Sequence, residues 1–170
     1  MATSDFIPLT AERIRLLFSY NPENGVFTRL TKTGGRARIG QEIGSWDLYG
    51  YKTTRIDNRS FKLHRLAWLY VHGVWPVGDV DHINGVRHDN RIENLRCVSR
   101  QVNLQNRRTA NKQKKSTGIL GVYLIKGTNR FSSCISIDNK SKYLGVFDTP
   151  QDAHAAYLEA KRRLHPGCMI

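Results

Sequence analysis

Apolar and polar positions alternate along this chain in short blocks, and each block predicts a small element. Within residues 9–20, Ile14, Leu17 and Phe18 share a helical face. Thr10 can cap that helix, and Glu12 sits in its first turn, where the helix dipole favours an anion. Asn21-Pro22-Glu23-Asn24-Gly25 turns the chain, and residues 26–30 alternate as a strand. Residues 46–56 and 59–63 predict a hairpin around Asp57-Asn58. Residues 64–73 read as a helix closed by Gly73, with Leu66, Leu69 and Tyr70 at core spacing. A strand then ends at His82, a loop follows at Asn84-Gly85, and a short strand and a helix around Asn103 complete the middle of the chain. Three further strands are expected over residues 118–124, 130–137 and 140–147. Thr149-Pro150 opens a last helix, whose buried face holds Ala153, Ala156, Tyr157, Ala160 and Leu164. The class is α+β.

Residues 107–116 break the pattern, with arginine and lysine but no large apolar side chain. That composition predicts an extended basic linker. The expected division is 1–108, a linker at 109–116, and 117–170. The chain has 170 residues and a formal charge of +13, with a pI near 10.1. Such an excess favours a polyanionic partner, of which phosphate backbones are the commonest. Cys97, Cys134 and Cys168 are far apart and form no C-x-x-C pair, so neither structural zinc nor a disulfide framework is expected. The first residues lack the pattern of a signal peptide, and no apolar run suits a membrane span, so the expected location is cytoplasmic.

The chemistry concentrates between Val80 and Asn106. Cutting a phosphodiester needs an activated water, neutralised charge at phosphorus and a stabilised leaving oxygen. His82 can act as general base because imidazole titrates near neutrality. Asp81 is a hard oxygen donor for Mg²⁺ or Mn²⁺, and Asn103 can add a carbonyl oxygen. Adjacent strand residues face opposite ways, so Asp81 and His82 can share a site only where the strand bends, as Asn84-Gly85 allows. Asn94 can accept from the imidazole, or a neighbouring backbone group can. Asn94 follows His82 by 12 residues (94 − 82) and Asn103 follows Asn94 by 9 (103 − 94).

Asp81-His82-Ile83-Asn84-Gly85, residues 89–96 and residues 98–103 resemble the HNH endonucleases of phages and their homing relatives. The likeness runs over about residues 45–108, including Leu63-His64-Arg65-Leu66-Ala67. It implies a ββα-metal module, with a core at about 76–108, and one divalent cation. By resemblance, His82 is the general base, Asp81 and Asn103 are metal ligands, and Asn94 orients the histidine or substrate. The order here is His-Asn-Asn, with a neutral final ligand. The C-terminal third is similar to the Apetala-two/ethylene-response-factor type of DNA-binding domain through Gly121-Val122, residues 143–149 and Ala156-Tyr157. That likeness implies a three-stranded antiparallel sheet packed on one helix, its open face reading DNA through Tyr123, Lys126, Arg130, Ser132, Lys140, Lys142 and Tyr143. Further DNA contacts are expected from Arg36, Arg38, His64, Arg65 and Arg87, and from Arg107, Arg108, Lys112, Lys114 and Lys115 along the linker. Together these likenesses imply a metal-dependent DNA-nicking endonuclease, with double-stranded DNA as the expected partner, bound by a monomer or weak dimer. Its competitors are a DNA-binding regulator without catalysis and an RNA-binding protein built on the basic arm.

Overall fold

A computed structural model describes residues 9–32, 35, 37–110 and 117–170. Among them the chain mixes four α-helices with ten strands in four small antiparallel sheets. It divides into two compact units, Met1–Val98 and Ser99–Ile170. Composition alone suggests a boundary ten residues later, at 108 (108 − 98). Packing moves the short helix at Arg100–Gln105 into the second unit, because the Gln105 side chain accepts the Gly167 N–H at 2.9 Å.

In the first unit, α1 (Ala11–Leu17) starts where Thr10 Oγ1 accepts from the Arg13 N–H. It is shorter than its apolar spacing suggests. At Phe18 the chain turns directly into β1 (Phe18–Asn21), paired antiparallel with β2 (Val26–Arg29). The strand wins because Phe18 and Tyr20 then both point inward onto the core that holds Phe27. The expected long strand at 46–56 is also split. A loop at 47–51 separates β3 (Ser45–Trp46) from β4 (Lys52–Ile56), which pairs with β5 (Arg59–Lys62). Asp57 and Asn58 have φ of 47° and 61°, the positive pair that a two-residue hairpin turn demands.

Helix α2 (Leu63–His72) sends Leu63, Leu66, Ala67 and Leu69 into the same core as Ile14, Phe18, Phe27 and Ile56, and ends at Gly73 with φ 76°. The hairpin of β6 (Asp79–His82) and β7 (Leu95–Val98) adds Val80 and Leu95 to that core. A 3-10 turn, Ile92–Asn94, leads into β7.

The second unit opens with α3 (Arg100–Gln105), capped by Ser99 Oγ accepting from the Val102 N–H. Its sheet runs β10-β9-β8, from β8 (Val122–Leu124), β9 (Phe131–Ile137) and β10 (Lys140–Phe147). Asp138 and Asn139 repeat the positive-φ turn, and Leu144 is an extra residue bulged between Tyr143 and Gly145. Helix α4 (Pro150–Leu164) begins at Thr149, whose hydroxyl accepts from the Asp152 N–H, and buries Ala153, Tyr157 and Ala160. Lys161 is also buried and donates to the Arg107 carbonyl. Tyr157 lies so close over Gly121 that a Cβ there would sit 2.1 Å from its ring, and Gly121 has φ 79°. Gly121→Ala should therefore lower the stability of the second unit by about 1–3 kcal/mol or more. Urea unfolding followed through Tyr157-dependent near-UV signal would show a midpoint well below the parent.

Candidate active site

The β6-β7 hairpin fixes the first two groups. Asp81 stands directly across from Arg96, and Arg96 donates to Asp81 Oδ2 from Nε at 2.9 Å and from Nη2 at 2.8 Å. Both donors converge on one carboxylate oxygen. His82, the last residue of β6, is only 4% exposed. Its Nε2 lies 3.2 Å from Asn90 Oδ1. A carboxamide oxygen only accepts, so Nε2 carries the proton and Nδ1 keeps the lone pair. Burial lowers the His82 pKa from its ordinary value, opposed by the Asn90 bond and by Asp81 and Asp89. The imidazole is thereby neutral at physiological pH.

Asn90 is the residue that spacing did not single out. Three asparagines, Asn84, Asn90 and Asn94, fall in one loop, and their order alone does not tell which meets the imidazole. The expectation of Asn94 against His82 gives way to a different division of labour. Asn94 Oδ1 accepts the Asn84 N–H at 2.9 Å and its Nδ2 donates to the Asp89 carbonyl at 2.8 Å. It lies where β7 begins, opposite the start of the loop, so its carboxamide spans the loop rather than the ring. Asn84 donates to Asp89 Oδ2 at 2.7 Å, and Arg91 donates to both Asp89 oxygens at 2.9 and 2.8 Å. The loop is thus a closed polar network.

The N-terminal hairpin completes that network. Tyr20 donates to the Asn90 carbonyl at 2.6 Å, and Ile92 N–H donates to the Pro22 carbonyl at 3.3 Å. Gly25, with φ 72°, packs against the 90–91 backbone so tightly that a Cβ would lie 2.5 Å from Arg91 N. Residues 18–29 therefore form a wall of the site. Burial raises the Tyr20 hydroxyl pKa well above its usual range, so it remains a donor.

His64, expected at an open helix start, is buried beside the site instead. Its ring meets His82 edge-on with centroids 4.9 Å apart, and Tyr51 flanks both rings at 5.2 and 6.0 Å. Residue 64 follows the inward-facing Leu63 at the first turn of α2, and that register turns it inward. Its pKa falls to about 3, from burial first and then from His82, Lys62 and Arg65. A second buried imidazole thus stays uncharged against the first.

Other expected DNA contacts divide by location. Arg87 is exposed, donates to the Tyr49 carbonyl at 2.6 Å and lies 5.3 Å over the Tyr51 ring. Arg65 is half-buried and donates to the Gly78 carbonyl at 3.3 Å. Arg38 is exposed, while Arg36, Lys112, Lys114 and Lys115 lie outside the described residues. In the second unit Tyr123, Lys126, Arg130, Lys140, Lys142 and Tyr143 are all exposed; Arg130 pairs with Asp148 at 2.8 Å. Arg107 and Arg108 are exposed, and Arg108 donates to the Met169 carbonyl at 3.0 Å. Asn103 is half-buried on α3.

Residues 61–105 match the family model of the HNH endonucleases. The match holds both histidines, the β6-β7 hairpin, the bracing loop and Asn103, and supports an HNH nuclease module that acts on DNA. It spans 45 residues (105 − 61 + 1) of the 170. No curated protein and no solved structure matches the chain. The HNH family generally uses a divalent metal. Among the described residues, no group of three or more His, Cys, Asp or Glu is placed to hold a metal ion. No helix among them is long and apolar enough to cross a membrane.

Asp89 gives the site a pH signature. The Arg91 hydrogen bond first, then those from Asn84 and the Arg91 N–H, outweigh burial and hold its pKa at about 2, down from 3.8. A depressed carboxylate pKa stabilises the fold above the unfolded value and loses that contribution as pH falls through the folded value. Asp89→Asn should therefore lower the urea midpoint at neutral pH, and the gap from the parent should close between about pH 4 and pH 2.

Proposed function

We propose that this protein is a divalent-metal-dependent DNA endonuclease of homing-like type, nicking one strand at each event. The observation that carries the reading is the buried His82, fixed through Nε2 by Asn90 inside the segment that matches the HNH endonucleases. With Nε2 protonated, Nδ1 is the nitrogen that takes a proton from the attacking water. The low pKa keeps that lone pair available at physiological pH. Asn90 acts as a positioning residue through His82, and Tyr20 acts through Asn90. Asn94 serves the reaction by holding the loop that carries both.

The metal would be held by Asp81 and by Asn103 on the helix that follows β7 in sequence. The donor set fits a hard cation: one carboxylate oxygen and one carboxamide oxygen suit Mg²⁺ or Mn²⁺ in a ββα-metal module. Arg96, bonded to Asp81 Oδ2, aims the carboxylate and limits its rotation. Bound there, the ion would neutralise charge on the scissile phosphate and on the leaving oxygen. The C-terminal sheet supplies the second DNA contact in this reading, as a module of Apetala-two/ethylene-response-factor type. Tyr123 and Tyr143, exposed across from Ser132 and Cys134 on the open face, suit the groove of duplex DNA. Lys140 and Lys142 stand across from Ile137 and Ile135, on the face that packs on α4, so with Lys126 they suit phosphates from the rim of the sheet and not from its open face. The linker arginines and lysines track phosphates between the two modules.

His82→Ala should still shift duplex DNA in a gel and lose metal-dependent nicking of supercoiled plasmid by more than about a hundredfold. Asn90→Ala should also bind DNA while nicking about ten- to a hundredfold more slowly, since the wrong tautomer becomes accessible. Full nicking by a clean preparation of His82→Ala would remove His82 as the base. Binding by the parent without any cleavage in Mg²⁺ or Mn²⁺ would favour a non-catalytic regulator.

A further inference from the structure

Loop 47–51 joins β3 to β4 and carries more exposed apolar surface than its neighbours. Leu48 is 100% exposed, Tyr49 70% and Trp46, at the loop's base, 60%. Three large apolar side chains within four positions are left in water there. Apolar surface gathered in one place marks a contact that covers it.

The loop holds a fixed shape. Asp47 Oδ1 accepts the N–H of Tyr49 at 2.9 Å and of Tyr51 at 2.8 Å. Asp47 N–H donates to the Tyr51 carbonyl at 2.9 Å, and Gly50, with φ 80°, donates to the Asp47 carbonyl at 3.1 Å. Leu48 and Tyr49 stand at the tip of this closed turn. Such a tip loses little conformational freedom on binding.

The turn is tied to the catalytic loop from two sides. Arg87 donates to the Tyr49 carbonyl at 2.6 Å. Trp46 meets His88 edge-on at 5.4 Å, and Tyr51, at the far end of the turn, lies 6.0 Å from the His82 ring. The turn therefore borders the pocket that holds His82. The surroundings are cationic: Lys62 Nζ stands 4.1 Å over the Tyr51 ring, Arg87 5.3 Å over the same ring, and Lys52 5.7 Å over Trp46. Of the nearby carboxylates, Asp47 is turned onto its own loop and Glu42 is paired with Lys52 at 2.6 Å. A protein partner would need acidic side chains to meet these cations. DNA supplies phosphates for the cations and base faces for the apolar tip in one ligand.

We infer that Leu48, with Tyr49 beside it, is a wedge that enters a base step next to the scissile phosphate and unstacks it. Apolar side chains inserted in this way kink duplex DNA and widen the approach to the backbone. Here the kink would turn the scissile phosphate toward His82. The inference rests on the DNA-cleavage reading.

The test uses the full chain and plasmid DNA. The nick is first mapped by primer extension, and duplexes are made with 2-aminopurine at each base pair flanking it. Binding is followed in EDTA so that the duplex stays intact. The parent should raise 2-aminopurine fluorescence at one step, the mark of an unstacked base. Leu48→Ala should return that signal to the free-duplex level and slow nicking about tenfold. Its affinity for the duplex should change by less than about threefold, because the cations remain. Leu48→Phe, which keeps an apolar wedge, should keep the signal. Leu48 makes no core contact, so its variants should keep the parent's urea midpoint. A parent that nicks DNA without unstacking any flanking base, or a Leu48→Ala protein that keeps both signal and rate, overturns the wedge and leaves the nuclease. A parent that neither binds nor nicks DNA ends both readings.

Discussion

The site depends on one constraint: an imidazole must be buried, neutral and fixed in rotation, all at the end of a four-residue strand. A short hairpin cannot do that alone. Burial supplies neutrality by making the charged ring costly. The bond from Nε2 to Asn90 restrains its rotation. That bond is only as good as the placement of Asn90, which sits in a loop between β6 and β7. The surrounding structure therefore reads as a means of immobilising one carboxamide.

Three independent devices do this. The Asn84–Asp89–Arg91 network stiffens the loop from within. Asn94 ties its two ends together. The N-terminal hairpin presses on it from outside, through the Tyr20 hydroxyl and the close approach of Gly25. The third device explains residues 18–29, which the sequence leaves without a role. They add no charged group to the centre. They brace a polar loop, which would otherwise sample many shapes, through the Tyr20–Asn90 and Ile92–Pro22 hydrogen bonds.

The sequence was legible wherever the signal was local. The turns at Asp57-Asn58 and Asp138-Asn139 have the residues that tolerate positive φ, and they appear as expected. Thr10, Ser99 and Thr149 cap the helices that follow them. Locality also explains the failures. Residues 18–20 carry helical spacing, yet pairing with Val26–Arg29 turns them into a strand. His64 looked like a phosphate contact at a helix start, because nothing in its neighbours reveals that it packs against His82, 18 residues away (82 − 64). Asn90 and Asn94 are chemically identical, and only the fold decides which reaches the ring. The roles that escaped sequence reasoning are those set by tertiary register rather than by residue type.

His64 stays neutral beside His82 because burial disfavours its charged form. A protonated histidine there would repel protonation of His82, but it would also place an unpaired cation in a buried pocket at high cost. A neutral ring avoids that cost and still contributes apolar surface against His82. Its charged neighbours take other partners: Arg65 donates to the Gly78 carbonyl, and Lys62 lies over the Tyr51 ring that flanks the imidazoles. The positive charge of this strongly basic chain is thus kept around the imidazole pair rather than within it. That separation lets phosphate be attracted to the site without protonating His82, the group proposed as the base.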